Sequence, residues 1–178
     1  DLVLEQAQSF LGHSVTEIIL SKDTLIIGFY ISGHNRWFII DTHPKRLLFL
    51  VGEDVPRFKK EVKPLSLFLK ARLKGLILNS IQRHKEYGRV IDLIFEGLEM
   101  SVQLTPMVRN VIVKHDGTQI SLNKIRELSP VVDKGSVNEP REPTVLLSQW
   151  TEELQPKAKV DSQKSVEKKI KKLELNSN

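Results

Sequence analysis

The feature that most constrains this chain is a series of short apolar or β-branched runs separated by turn-forming residues. Nine such runs occupy residues 15–20, 25–31, 37–41, 47–51, 76–82, 89–95, 100–104, 110–114 and 119–122. Runs of this length, bounded by Gly, Pro, Asn, Asp and Ser, are typical of β-strands, since amphipathic helices need longer periodic segments. Asp116-Gly117 is also a common two-residue hairpin turn. The sequence therefore predicts antiparallel strands in two series, the first a four-strand meander.

Two segments follow the helical period instead. Residues 2–11 carry an apolar stripe that ends before Gly12. The second segment begins at Pro64, a favoured first helical residue, and its stripe of Leu and Phe side chains ends before Gly75. Together with the strands, these segments predict an α+β fold. We expect a strand-rich antiparallel domain, of two sheets or a half-barrel, with an N-terminal helix and one central helix.

The apolar periodicity stops near residue 130, which divides the chain into three parts. Residues 1–129 are predicted to form the domain. Residues 130–160 are predicted to be a linker with a short docking helix, indicated by Leu146, Leu147, Trp150 and Leu154. Residues 161–178 are interpreted as the basic start of a coiled coil, whose residues 161–175 could pair with a partner helix.

Composition and motifs exclude several classes of function. The chain has no cysteine, no apolar run near 18–20 residues and no secretory signal in residues 1–20, so we expect a cytoplasmic protein without a membrane partner. Its five histidines show no metal-ligand spacing, and phosphate-binding glycine loops and serine-hydrolase motifs are missing. We expect a non-enzyme without metal or cofactor. Asp41, Asp92 and Glu96 are interpreted as surface or turn residues.

Charge gives the stronger signal. The net charge is +5, and residues 57–74 hold seven basic side chains against the single acid Glu61. Lys63, Ser66, Lys70 and Lys74 are spaced by 3, 4 and 4 residues, which predicts one helix face opposite the apolar stripe. Such a row could bind successive phosphates of a nucleic acid without reading its sequence. The alternative is an ordinary solvated helix face, and the 6% aromatic content argues against base stacking.

Several short motifs in residues 4–128 occur in the same order as in one known family. They are Asp23-Thr24-Leu25, His43-Pro44, Arg46-Leu47, the helix set Pro64, Leu69, Lys70, Leu73 and Gly75, and the strand set Arg89-Val90-Ile91 with Phe95. This order resembles the N-terminal domain of the NFACT family. Its members are factors of ribosome-associated quality control, also described as fibronectin-binding proteins.

The sequence departs from the family pattern at two places. The family has an Asp-Arg pair tied to tRNA engagement during template-free tailing, but Gly88 stands in the position of the aspartate, so only Arg89 carries over. The family motif Gly-Arg-His-Ser-Asn aligns with residues 106–110, where Asn110 is retained and the Gly-Arg-His portion is lost. These departures leave tRNA engagement open.

The resemblance implies a fold similar to the N-terminal domain of formamidopyrimidine-DNA glycosylases. It also implies an RNA-binding module that engages the large ribosomal subunit and tRNA. The candidate nucleic-acid contacts are Lys63, Lys70, Arg72, Lys74, Arg89, Arg109 and Asn110. Two alternatives stay open: a protein-interaction module acting through the coiled coil, and a glycosylase-like DNA enzyme, for which no activated nucleophile is visible.

Overall fold

The computed structural model describes residues 2–130 and 143–154. Within these ranges the elements are α1 (Leu2–Gln8), β1 (Val15–Ser21), β2 (Thr24–Ile31), β3 (His34–Asp41), β4 (Leu48–Gly52), α2 (Pro64–Arg72), β5 (Leu78–Arg83), β6 (Val90–Phe95), β7 (Leu98–Leu104), β8 (Arg109–His115), β9 (Thr118–Ser121) and α3 (Pro143–Leu154). None of these helices is long and apolar enough to span a bilayer. The predicted coiled coil at 161–175 lies outside the described residues.

The strands form two antiparallel sheets. One has the order β1-β2-β3-β4 and the other the order β5-β6-β7-β8-β9, so each strand pairs with its neighbour in sequence. The bridge between Ser14 and Ile77 links the two sheets where β1 and β5 begin. The predicted α+β class, with an N-terminal helix (α1) and a central helix (α2), is confirmed in its two-sheet form.

Tight hairpins explain why the strands pair in sequence order. Ser32 and Gly33 have φ values of 52° and 87°, and Asp116 and Gly117 have 46° and 73°. Two consecutive residues with positive φ match the right-handed twist of the flanking strands, and Gly adopts this conformation without the steric cost of a Cβ. The Asp116-Gly117 hairpin predicted from the sequence is thus present, closed by the pairing of His115 with Thr118.

The main core lies between the two sheets. Phe10, Phe29, Phe38 and Phe49 are buried there and pack with ring centroids 4.3 to 5.3 Å apart. Apolar side chains that alternate along β6, β7 and β8 form the opposite side of this core, as expected for sheets with one buried face. The helix α2 contributes its apolar stripe to the same cluster.

The outer face of the four-stranded sheet is covered as well. A Cβ on Gly28 would lie 2.5 Å from the Trp37 ring on the neighbouring strand, so the tryptophan can cross β2 only because residue 28 is glycine. Trp150 of α3 packs in this second cluster, 5.6 Å from the ring centroid of Phe58. The central strand β2 is therefore buried on both faces, apart from Tyr30.

Asp41, at the end of β3, is fully buried, which corrects its interpretation as a surface or turn residue. Its Oδ1 accepts the backbone N–H of His43 at 2.9 Å. Its Oδ2 accepts Arg46 Nε and Trp150 Nε1, each at 2.9 Å. A buried carboxylate needs such donors because burial removes its hydration. Asp41 thus links α3 to β3, through a hydrogen bond between two residues that are 109 positions apart in the chain.

We expect Trp150→Phe to lower the free energy of unfolding by about 1–3 kcal/mol, because it keeps an aromatic ring but leaves Asp41 Oδ2 with one donor fewer. Urea denaturation measures the change. Val145→Ala is a matched control on the exposed side of α3 and should change stability by no more than about 0.5 kcal/mol. An unchanged urea midpoint for Trp150→Phe would show that the indole hydrogen bond contributes nothing to the docking of α3.

Candidate nucleic-acid interface

The start of α2 does not form the lysine row predicted from the sequence. Ser66, a member of that row, is only 1% exposed. Its Oγ accepts the backbone N–H of Lys63 at 3.0 Å and donates to the Lys63 carbonyl at 2.8 Å. These local bonds satisfy backbone groups at the helix N-terminus and turn Ser66 inward. The predicted face is therefore interrupted in its middle.

Lys63 itself is held against the protein. Its Nζ donates to the backbone carbonyl of Lys22 at 2.5 Å and lies 3.5 Å from Glu61 Oε2. The Nζ of Lys60, three residues earlier, lies 3.4 Å from Glu17 Oε1. Both lysines fasten the segment before α2 to the region of β1. The structure therefore does not present Lys63 as a free cation, in contrast to its sequence-based role as a phosphate contact.

Lys70, Arg72 and Lys74 are exposed at the other end of α2. Among the described residues, none of their side chains has a hydrogen-bond or ion-pair partner. Lys70 and Arg72 lie in the last helical turn, where positive charge also compensates the helix dipole. Lys74 follows the helix. We call these three residues the helix patch.

Arg89, which directly precedes β6, and Arg109, which begins β8, lie on either side of Leu104 of β7, at one end of the five-stranded sheet. The backbone N–H of Leu104 donates to the Arg89 carbonyl at 2.9 Å, and Leu104 pairs with Arg109 on its other side. Residues directly opposed in an antiparallel sheet project from the same face. Arg89 is exposed, and Arg109 Nη1 donates to the Pro106 carbonyl at 3.1 Å. These two residues form the arginine patch.

The two patches lie at opposite ends of the five-stranded sheet. Arg109 begins β8 and His115 ends it, a separation of roughly 20 Å along an extended strand. Phe68 of α2 packs against the His115 ring, with 6.3 Å between ring centroids. The strand that follows α2 in the chain, β5, begins at Leu78. Leu78 pairs with Phe95, and this pair lies at the same end of the sheet as His115. The sequence-predicted contacts therefore form two surfaces rather than one.

Asn110, a predicted nucleic-acid contact, lies in the interior of the protein and not on its surface. It is fully buried. Its Oδ1 accepts the backbone N–H groups of Val111 and Asn123 at 2.9 and 2.8 Å, and its Nδ2 donates to the Asn123 carbonyl at 2.9 Å. Asn110 thus fastens the segment after β9 to β8. A buried asparagine and an exposed one cannot be told apart by a motif in sequence.

The turn between β5 and β6 adds groups that motif matching missed. Lys85 is exposed in this turn, close in sequence to Arg89. Gly88 has a φ of 67°, and its carbonyl accepts Arg83 Nε at 2.7 Å. Glycine suits this left-handed conformation because it has no Cβ. Lys85 could have been identified from the sequence as a candidate contact, because it lies in the short predicted turn that ends at Arg89.

The titratable groups of the described ranges do not form a metal centre, since no group of three or more His, Asp or Glu side chains is close enough to hold an ion. His84 Nε2 lies 2.5 Å from Asp92 Oδ2. Asp92 belongs to β6 and is half-buried, whereas Glu96 is an exposed turn residue. The His84–Asp92 pair joins β6 to the residue that follows β5.

Comparisons with known proteins identify the fold. The sequence matches no protein-family model and no curated protein. Similar solved structures are the N-terminal domain of the fibronectin-binding protein PavA from Streptococcus pneumoniae (TM-score 0.63, 9% identity) and the N-terminal part of the fibronectin/fibrinogen-binding protein from Streptococcus suis (0.62, 11%). A third is the fibrinogen-binding protein from Staphylococcus aureus (0.58, 15%).

The aligned regions cover 79%, 79% and 70% of this chain, in the same order, but only 62%, 58% and 48% of the other chains. The matched region is thus less than two thirds of each solved structure. At these identities the similarity establishes a common fold. The chain therefore has the fold of the N-terminal domains of fibronectin/fibrinogen-binding proteins.

The burial of Asn110 predicts a folding defect for its replacement. We expect Asn110→Ala to lower the free energy of unfolding by more than about 2 kcal/mol, because it leaves several backbone groups without their partner. Thermal melting measures this change, and Asn79→Ala, at an exposed position of β5, serves as the control. A native melting temperature combined with weakened RNA binding would instead restore Asn110 to the interface.

Proposed function

We propose that this chain is a nucleic-acid-facing binding module, acting by electrostatic contact and not by catalysis. The observation that carries the proposal is the helix patch: Lys70, Arg72 and Lys74 are exposed and unpaired by any described acid. Unpaired surface cations attract phosphates because binding releases the counterions of the polyanion. Acids that neutralise other lysines, such as Glu17 and Glu61, do not reach this patch.

The placement of the two patches at opposite ends of the five-stranded sheet supports an extended ligand. A small phosphorylated molecule cannot span roughly 20 Å of sheet, whereas an RNA backbone can contact both ends. Arg89 and Arg109 carry guanidinium groups, which can bind a phosphate through two parallel hydrogen bonds. Lysines bind phosphate as point charges. The two patches would therefore hold an RNA at two points, with the tighter geometry at the arginine patch.

The NFACT resemblance suggests which RNA this is. It favours the large ribosomal subunit as the main partner and tRNA as a second one, in a cytoplasmic setting. The absence of the family aspartate at Gly88 favours the ribosomal subunit over tRNA, since only Arg89 of the Asp-Arg pair is present. The shared fold is compatible with this role but does not supply it, because function depends on the residues that a fold carries.

A protein-binding module is the second candidate. It is favoured by the names of the structurally similar proteins, which describe binding of fibronectin and fibrinogen. The predicted coiled-coil segment 161–175 would also bind a protein, by pairing with a helix of the partner. This segment lies outside the described residues. Ionic strength separates the two candidates, because phosphate contacts weaken steeply with salt and apolar protein contacts do not.

We expect replacement of Lys70, Arg72 and Lys74 by Gln to flatten the salt dependence of binding to single-stranded RNA and to large ribosomal subunits. Each lost phosphate contact should reduce the log–log slope by roughly 0.7–0.9. Affinities at several salt concentrations measure the effect. The matched control replaces Lys45, Arg57 and Lys124 by Gln, which removes the same charge from other exposed positions.

Thermal melting of both triple variants checks that folding persists. Loss of the dipole contacts of Lys70 and Arg72 should cost no more than about 1 kcal/mol each. An unchanged slope for the helix-patch variant, or an equal change in the control, would favour the protein-binding module.

The missing aspartate gives a second test. We expect the native protein to bind large ribosomal subunits but to engage tRNA poorly, and Gly88→Asp to improve tRNA binding selectively. The free energy of unfolding of this variant should also fall by about 1–2 kcal/mol, because the φ of 67° at residue 88 disfavours a residue with a Cβ. Gly33→Asp has comparable strain and charge in a turn of the other sheet and is the control. Strong tRNA binding by the native protein would show that the Asp-Arg pair is not the relevant feature.

A further inference from the structure

A shallow groove of about 480 Å³ lies on the outer face of the five-stranded sheet, away from the core. Its floor includes Ser101, Gln103 and Ile112 of β7 and β8, and its wall is the segment 125–128 that follows β9. Tyr87 lines the groove, and Lys114 and Gln119 line it where β8 meets the edge strand β9. Neither basic patch contributes to this surface.

The side chain of Gln103 is buried in the groove with an unused acceptor. It is 6% exposed, and its Oε1 has no hydrogen-bond partner among the described residues. Its neighbours across the sheet are Val90, which offers no donor, and Asn110, whose amide is already bonded to the segment after β9. A buried polar atom without a partner costs free energy, so a ligand that brings an N–H group would be favoured here.

The groove also provides charge and apolar surface. Within the described residues, the ammonium of Lys114 and the guanidinium of Arg126 have no hydrogen-bond or ion-pair partner. The acids near them are Glu127 of the wall and Glu99, which lies opposite Lys114 on β7 outside the groove lining. Ile125 is 45% exposed on the wall, and Ile112 forms apolar floor. This combination suits a ligand with N–H donors, an apolar side chain and negative charge.

An extended peptide fits these groups better than a single-stranded nucleic acid does. The groove ends at β9, an edge strand that a peptide backbone can reach with its alternating donors and acceptors. Nucleic-acid grooves use a track of cations with aromatic platforms for bases. Here the ring that lines the groove is that of Tyr87, and it already packs near His84, with 5.8 Å between ring centroids.

We infer that this groove binds an extended acidic peptide of a partner protein, with a peptide N–H donated to Gln103 Oε1 and its acidic side chains beside Lys114 and Arg126. The inference stands apart from the proposed RNA contacts, since it concerns another face of the sheet. It would let one domain hold a nucleic acid at the sheet ends and a protein segment across the sheet.

A random heptapeptide display library tests this inference. Selection on the immobilised full chain should enrich peptides that combine Asp or Glu with an apolar residue, and selection on the Gln103→Leu variant should not. A fluorescein-labelled synthetic copy of the most enriched peptide then serves as the probe in fluorescence polarisation. Gln103→Leu should weaken its binding about fivefold, and replacing Lys114 and Arg126 by Gln should weaken it by at least as much.

Two controls make the test specific. Gln82→Leu removes an exposed glutamine from the same sheet outside the groove and should leave probe binding unchanged. N-methylation of successive probe amides should abolish the Gln103 dependence at one position, since it removes the donated N–H. The melting temperature of Gln103→Leu should stay level or rise, because the variant removes an unpaired buried acceptor.

Three results would overturn the inference. The first is a library without peptides that distinguish the native chain from Gln103→Leu. The second is a destabilised Gln103→Leu variant, which would reveal a partner within the protein. The third is displacement of the probe by a single-stranded RNA whose own binding depends on Gln103, which would make the groove a nucleic-acid site.

Discussion

The buried carboxylate of Asp41 is the interaction on which the arrangement of the four-stranded sheet depends. It lies at the end of β3 and accepts hydrogen bonds from His43, Arg46 and Trp150. These donors come from the loop before β4 and from α3, so one side chain fixes both relative to the sheet. With α3 in place the outer face of this sheet is covered, and β2 becomes an interior strand.

This packing determines where charge can lie. Both faces of the four-stranded sheet are used for apolar contacts, and the five-stranded sheet gives its inner face to the core. The cations of the helix patch and the arginine patch lie where chain segments leave or enter the sheets, at the end of α2 and at the starts of β6 and β8. The outer face of the five-stranded sheet is left for a groove with a different chemistry, whose buried amide of Gln103 suits a hydrogen-bonding partner.

The structural comparisons illustrate how little of the sequence a fold requires. Chains with 9% to 15% identity share this architecture, because hydrophobic alternation and turn geometry can be met by many residue combinations. Residues that could carry function are not conserved by the fold itself. Gly88 is an example: its positive φ belongs to the local turn, while the side chain expected there by resemblance is lost.

The sequence by itself determined the elements of this protein. The short β-branched runs, the Asp116-Gly117 turn and the stripes ending before Gly12 and Gly75 predicted the strands, hairpin and helices, because these patterns act between residues close in the chain. Only the tertiary structure decided which polar groups are free. Ser66, Asn110 and Asp41 are buried, and the two basic patches lie at opposite ends of a sheet. Burial and long-range hydrogen bonds, such as that of Asp41 with Trp150, depend on segments brought together from distant parts of the chain, which no local periodicity encodes.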